Sequence, residues 1–280
     1  MTNAFELAMQ AVDPSVALPY WDFTIETSEG ATVYESIIMS SDMFGTIQAP
    51  SEYAKANGYT YSNDTIKDFA IPDGRWKHIK AGFNPDRFTD FVGKGYGYLR
   101  SPWNMNPSPY IVRFTGNTPL PSCDNHYDIL KTNDMMSFMY YMEDSPHAAT
   151  HGSTGGVYGC DLFKPLLDAG YINDHKALLY ICKNWNFSLK KLYRHNYIHN
   201  TSSCEVPDDV QDAFCPFSCN YDGLALNLLK NIIADQVPGD MSDEGVDAWL
   251  SFLCGGDGSR VFSGDHLESA SPSDPSFWPM

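Results

Sequence analysis

Apolar positions along this chain fall into stretches of different kinds. Residues 4–12 (AFELAMQAV) carry them at helical spacing, and Asp13-Pro14-Ser15 then turns the backbone. From about residue 23 to 130, Gly, Pro, Asn, Asp and aromatic residues dominate and periodic runs are short. That composition predicts loops, short strands and turns packed by aromatic anchors, not a regular sheet. Over 131–151 a long helical pattern begins, in which Met135, Met136, Phe138, Met139, Tyr140 and Met142 lead toward His147 and His151. Proline lacks an N–H and crowds the preceding turn. Pro146 is therefore expected to end one short helix and open the next at its first position, with Ser145 as N-cap. Gly155-Gly156 then permits a tight exit.

Between 160 and 255 the pattern changes again. Leu166, Leu167, residues 177–181, Leu189, Leu192, residues 224–233 and residues 246–253 recur at helical spacing, separated by polar loops that contain cysteine. We expect three to five helices here, a helical insertion at about 160–265 within one domain spanning 1–280. Near the end, Asp274 as N-cap with Pro275 after it is a helix-start signal. No internal repeat or low-complexity tract stands out. The expected fold class is mainly α, with long aromatic loops and that insertion.

Composition removes several functions from consideration. Apolar residues make up 43% and charged residues 19%, the balance of a globular chain and not of a disordered one. No run of 18 apolar residues occurs, so no span of a bilayer is expected. The first residues, Met1-Thr2-Asn3-Ala4-Phe5-Glu6, show neither the basic nor the apolar region of a signal peptide. Lysine and arginine number 18 against 35 acidic residues, giving 18 − 35 = −17. Such a chain lacks the basic excess that neutralises phosphates, and no nucleic-acid partner is expected. Of seven cysteines, Cys204, Cys215 and Cys219 cluster in a polar segment flanked by Cys182 and Cys254. This fits a disulfide-tied loop in an oxidising compartment, and equally a set of scattered reduced thiols. Sequons at Asn63, Asn186 and Asn200 are no more than an Asn-rich chain produces by chance.

Chemistry enters with His147-Ala148-Ala149-Thr150-His151. Two histidines at i and i+4 share a helix face, and neutral imidazoles suit Cu, Zn, Fe and Ni. The spacing alone is weak, since His195 and His199 repeat it. There Lys190, Lys191 and Arg194 make the field unfavourable to a dication, and a solvated helix face is expected. Glu143, one turn before His147, is an acid/base candidate against the commoner reading of a surface carboxylate.

The surroundings of the first pair are more specific. His147-x3-His151-x3-Gly155-Gly156, the earlier Pro19-Tyr20-Trp21-Asp22 and the later Asp274-Pro275-Ser276-Phe277-Trp278 stand in the order and local spacing of one family. Together with Phe5-Glu6, they resemble the tyrosinase copper-binding domain over residues 1–156 and 269–280. The resemblance implies a tyrosinase-like helix bundle, present in part, with copper as cofactor. Trp21, Tyr20, Phe277 and Trp278 would have packing roles.

Members of that family hold two coppers with six histidines, three per ion. By the resemblance, His147 and His151 are metal ligands here, and the other four would lie outside the chain at both ends. The implied activity is oxidation of o-diphenols, or of monophenols, to o-quinones with O2, so the partners are a small phenol and O2. Many monophenol-hydroxylating members have Asn directly after the first histidine. Ala148 in that place tilts the expectation toward catechol oxidation. An oxygen or copper carrier, or an interaction protein that has lost its copper, is the alternative on the same scaffold. A hydrolytic zinc site would need the glutamate of HExxH, which is missing. The segment from Cys204 to Cys219 is a candidate disulfide-stapled lid near His195 and His199.

Overall fold

The computed structural model describes residues 2–81, 100–114, 119–200, 216–220, 242–274 and 276–277. Among these residues the chain is mainly α. Its helices are α1 (Thr2–Gln10), α2 (Phe23–Ser28), α3 (Glu52–Asn57), α4 (Cys123–Leu130), α5 (Met135–Met142), α6 (Ala149–Gly155), α7 (Lys164–Asp168), α8 (His175–Arg194) and α9 (Asp243–Leu253). A π-helical turn, Glu143–Ala148, joins α5 to α6. Side chains of Asp22, Ser51, Ser122, Asp134, Asp174 and Ser242 each accept a backbone N–H of the first turn, which explains where six of these helices begin. In place of the short strands expected over 23–130, the backbone forms short helices, 3-10 turns and isolated bridges such as Ala70↔Val112.

The longest helix follows its sequence pattern. Leu178, Ile181, Cys182, Trp185, Leu189 and Leu192 form the buried stripe of α8. Phe163, Trp185, Trp249 and Phe252 meet against it, with ring centroids 4.7 Å apart for Phe163–Phe252 and 5.1 Å for Phe163–Trp185. This aromatic cluster is continuous with Tyr59, Phe69, Phe114 and Tyr158, so one core runs through both regions. Disulfides Cys160–Cys182 and Cys219–Cys254 tie the turn after Val157–Tyr158 to α8, and the ribbon of Ile198–Asn200 with Phe217–Cys219 to the end of α9. The strands are β1 (Val157–Tyr158), β2 (Ile198–Asn200), β3 (Phe217–Cys219) and β4 (Phe262–Ser263). Cys123 is a free, exposed thiol, and Cys204 and Cys215 lie outside the described residues, with most of the candidate lid.

Two local expectations are corrected. Pro146 does not break the helix between α5 and α6. The π-turn pairs i with i+5 and absorbs a residue that has no N–H to give, so Ser145 is no N-cap. His195 and His199 do not share a helix face. The helix ends at Arg194, Asn196 takes a left-handed conformation (φ 58°), and His199 sits in β2 opposite Ser218. Asn186, one of the sequons, is buried inside α8 and closed to glycosylation.

Three backbone segments are knitted around a buried ion pair. β1 pairs antiparallel with β4 (Val157↔Ser263, Tyr158↔Phe262), so the chain leaves the histidine helix and returns to it side by side. Phe114 N–H donates to Gly155 O at 2.8 Å, and Gly264 N–H to Gly156 O at 3.0 Å. Only glycine fits at 156. Its φ is +66°, and an added Cβ would stand 1.5 Å from the Phe114 carbonyl oxygen. Beneath this crossing, Arg100 grips Asp265 bidentately, Nε to Oδ1 at 2.6 Å and Nη2 to Oδ2 at 2.9 Å. Its remaining donors reach the carbonyls of Asn106, Ser108 and Tyr110, and Asp265 also accepts the Val112 N–H at 2.8 Å. Both side chains are buried and every charge is hydrogen-bonded, the condition under which a buried pair is tolerated.

Replacing Arg100 by Leu leaves the Asp265 carboxylate buried without its partner. The expected loss is about 3–5 kcal/mol of unfolding free energy, read by denaturant titration. Arg100→Leu with Asp265→Leu together is expected to recover much of that loss.

Candidate metal centre

The two histidines of the sequence motif do converge. His147 closes the π-turn and His151 lies in the first turn of α6, four residues on, so both rings leave the same side of one continuous helix. Their Nε2 atoms are 3.1 Å apart. The opposite ring nitrogens are both committed. His151 Nδ1–H donates to the carbonyl of His266, and His147 Nδ1–H donates to the carbonyl of Glu143 at 3.3 Å. That assignment leaves two lone pairs pointing at each other, an arrangement that calls for a cation between them. Two nitrogens at this separation can both reach one ion at the roughly 2.0 Å of a metal–imidazole bond. Burial holds the His151 pKa below its ordinary value, against the pull of the His266 carbonyl and with help from the neighbouring His147 and His266 rings. The neutral imidazole so favoured is the form that binds metal. Among the described residues no cluster of three or more His, Cys, Asp or Glu is disposed to hold an ion, so the donor set seen here is a pair.

Both rings line a cavity of about 480 Å³ whose other walls include Trp21, Phe23, His126, Met142 and Phe277. Phe277 lies parallel to the His151 ring at 6.1 Å (22°), and Trp21 packs edge-on to Phe23. Phe277 and Trp21 are therefore walls of the cavity as well as packing residues. Tyr20, expected to pack, is 83% exposed, and Trp278 lies outside the described residues. Glu143 contributes its carbonyl to His147, while its side chain is exposed.

Under the histidines lies a buried polar group that sequence reasoning did not find. His266, whose carbonyl receives His151, has Nε2 3.0 Å from Asp274 Oδ2. Ser276 donates to Asp274 Oδ1 from both N (2.8 Å) and Oγ (2.6 Å), and Arg113 Nη2 donates to Ser276 Oγ at 2.7 Å. All four residues are at most 3% exposed. Burial opposes the charge on Asp274, but His266, Arg113 and Ser276 together outweigh it and hold the carboxyl below its usual range. Asp274 follows a 3-10 turn (Ser271–Ser273), accepts the Ser276 N–H as an N-cap would, and also braces the residue that supports His151. Pro275, the expected first helical residue, lies outside the described residues. His126, the other unpredicted residue, lines the cavity with Nδ1 bound to the Ser122 carbonyl at 2.9 Å. No local spacing marks either histidine: His266 stands 115 positions after His151 and meets it only through the fold.

Because the folded-state pKa of Asp274 is lowered, the unfolded chain takes up its proton first as the medium is acidified. The stability it contributes is complete above the unfolded value of 3.8 and is lost as pH falls below it. Asp274→Asn is expected to flatten that acid limb when unfolding free energy is followed from about pH 6 downward. In the metal-free protein, ¹⁵N shifts of His151 should show the proton on Nδ1.

The model of the common central domain of tyrosinase matches residues 1–175, from α1 to the first residue of α8. No curated protein matches the chain. The matched stretch contains the π-turn and α6, with both histidines and the Gly155-Gly156 exit, and more than half of the 280 residues. By that match, the chain belongs to the tyrosinase common central domain family.

Proposed function

We propose that this protein is a copper oxidoreductase that converts o-diphenols to o-quinones with O2, with His147 and His151 as ligands to one copper. The observation that carries the reading is the pair of imidazoles facing each other with Nε2 atoms 3.1 Å apart, each fixed from behind by a backbone carbonyl. Such outer partners set which ring nitrogen is free to bind. Copper, when bound, supplies O2 binding and accepts the electrons of the phenol.

The chain's own residues supply the rest. Phe277 stands beside His151, and Trp21 and Phe23 line the same cavity, giving an aromatic-walled space of about 480 Å³ that suits a phenol ring. Phe23 in turn packs on the His126 ring at 5.7 Å. The apolar walls strengthen electrostatic interactions around the partly buried His151, while His147 stands exposed at the mouth of the cavity. Ala148 brings no polar atom beside His147 and lines a different cavity, behind the helix. No side chain at that position can take a phenol proton, which favours catechols over monophenols as substrates.

The test is o-quinone absorbance and O2 consumption by the copper-loaded protein with a simple catechol. With two of the family's six histidines among these residues, the 280-residue chain alone is expected to show little or no turnover. The protein carrying all six is expected to turn over, and His151→Ala and His147→Ala should each abolish that activity and weaken copper binding. Reversible O2 uptake without quinone would point to a carrier on the same scaffold. A protein that takes up no copper would sink both readings.

A further inference from the structure

Four of the eleven methionines fall within the eight residues of α5. Met135, Met139 and Met142 stand at i, i+4 and i+7, one stripe of an α-helix. They are 70%, 59% and 44% exposed, whereas Met39 and Met105, each 2% exposed, fill the core as methionine ordinarily does. The stripe ends at the histidines, for Met142 lines the cavity that His147 and His151 line. Residues five apart fall on different sides of an α-helix. In a π-turn, where i pairs with i+5, they fall on the same side, so the turn at Glu143–Ala148 carries the methionine stripe onto the histidine face. Asp134, Glu143 and Asp144 border α5, and the chain's net charge of −17 favours approach of a cation.

We infer that Met135, Met139 and Met142 form a thioether binding site for monovalent copper, an entry station leading to His147 and His151. The inference rests on the copper reading above only for the identity of the metal. Thioether sulfur is a soft donor that selects Cu(I), while imidazole accepts several metals. Leucine would serve as well as methionine on a face whose role is apolar packing alone; the sulfur adds a donor. Binding involves no redox step: sulfur lone pairs replace weaker ligands and the metal stays monovalent.

Ag(I), a soft monovalent ion that does not change oxidation state under these conditions, is the probe. All proteins carry Cys123→Ser, because that exposed thiol would bind silver itself. Methionine methyl resonances of the metal-free protein are followed as Ag(I) is added, alongside His147→Ala/His151→Ala and Met135→Leu/Met139→Leu/Met142→Leu. The leucine triple conserves volume and apolarity, and its fold is checked by the remaining methyl signals. The three methyls are expected to shift in the parent and in the histidine variant, and the leucine triple should lose that silver equivalent. Unmoved methyls, whether from weak affinity or from a covered stripe, would overturn the inference, as would undiminished silver binding by the leucine triple. Silver at the thioethers with no quinone formed by the copper-loaded protein carrying all six histidines would sink the oxidase reading and leave this site standing. Quinone formation with unmoved methyls would do the reverse.

Discussion

The pairing of Arg100 with Asp265 is the constraint on which the rest of the structure depends. A guanidinium and a carboxylate taken out of water are costly unless every donor and acceptor is used, and here they are used on each other and on the backbone of residues 106–112. The consequence is positional. Asp265 precedes His266, whose carbonyl orients His151 and whose ring faces Asp274. An error in the placement of residue 265 would reach His151 within two bonded or hydrogen-bonded steps. Two charge pairs, Arg100 with Asp265 and Arg113 through Ser276 with Asp274, hold the segment.

This support explains why His151 is held in place with its Nε2 facing that of His147. Burial lowers the basicity of His151, and the carbonyl behind it fixes the tautomer.

Much of this was legible in the residue pattern, and the failures have physical causes. The apolar stripe of α8 and the His147–His151 spacing are local, and local rules found helix and candidate site alike. His195 and His199 show the limit of the same rule: identical spacing yields no shared face, because Asn196 turns the chain left-handed between them. Asn196 was the available signal, being a residue that tolerates that conformation. The proline rule failed at Pro146 because it assumes α geometry, and a π-turn tolerates the missing donor. The roles of His266, Arg113 and Arg100 were hidden for another reason. Each acts through partners more than a hundred positions away, and periodicity carries no information at that range.

The two-rung ladder between β1 and β4 separates distance along the chain from distance in space. Tyr158 and Phe262 are 262 − 158 = 104 positions apart and face each other across one rung. The stretch between them leaves and rejoins the histidine helix at one rung, and its described helices pack into the same core as the residues before it. The cavity wall consequently reads as interrupted text in the sequence and as continuous masonry in the fold.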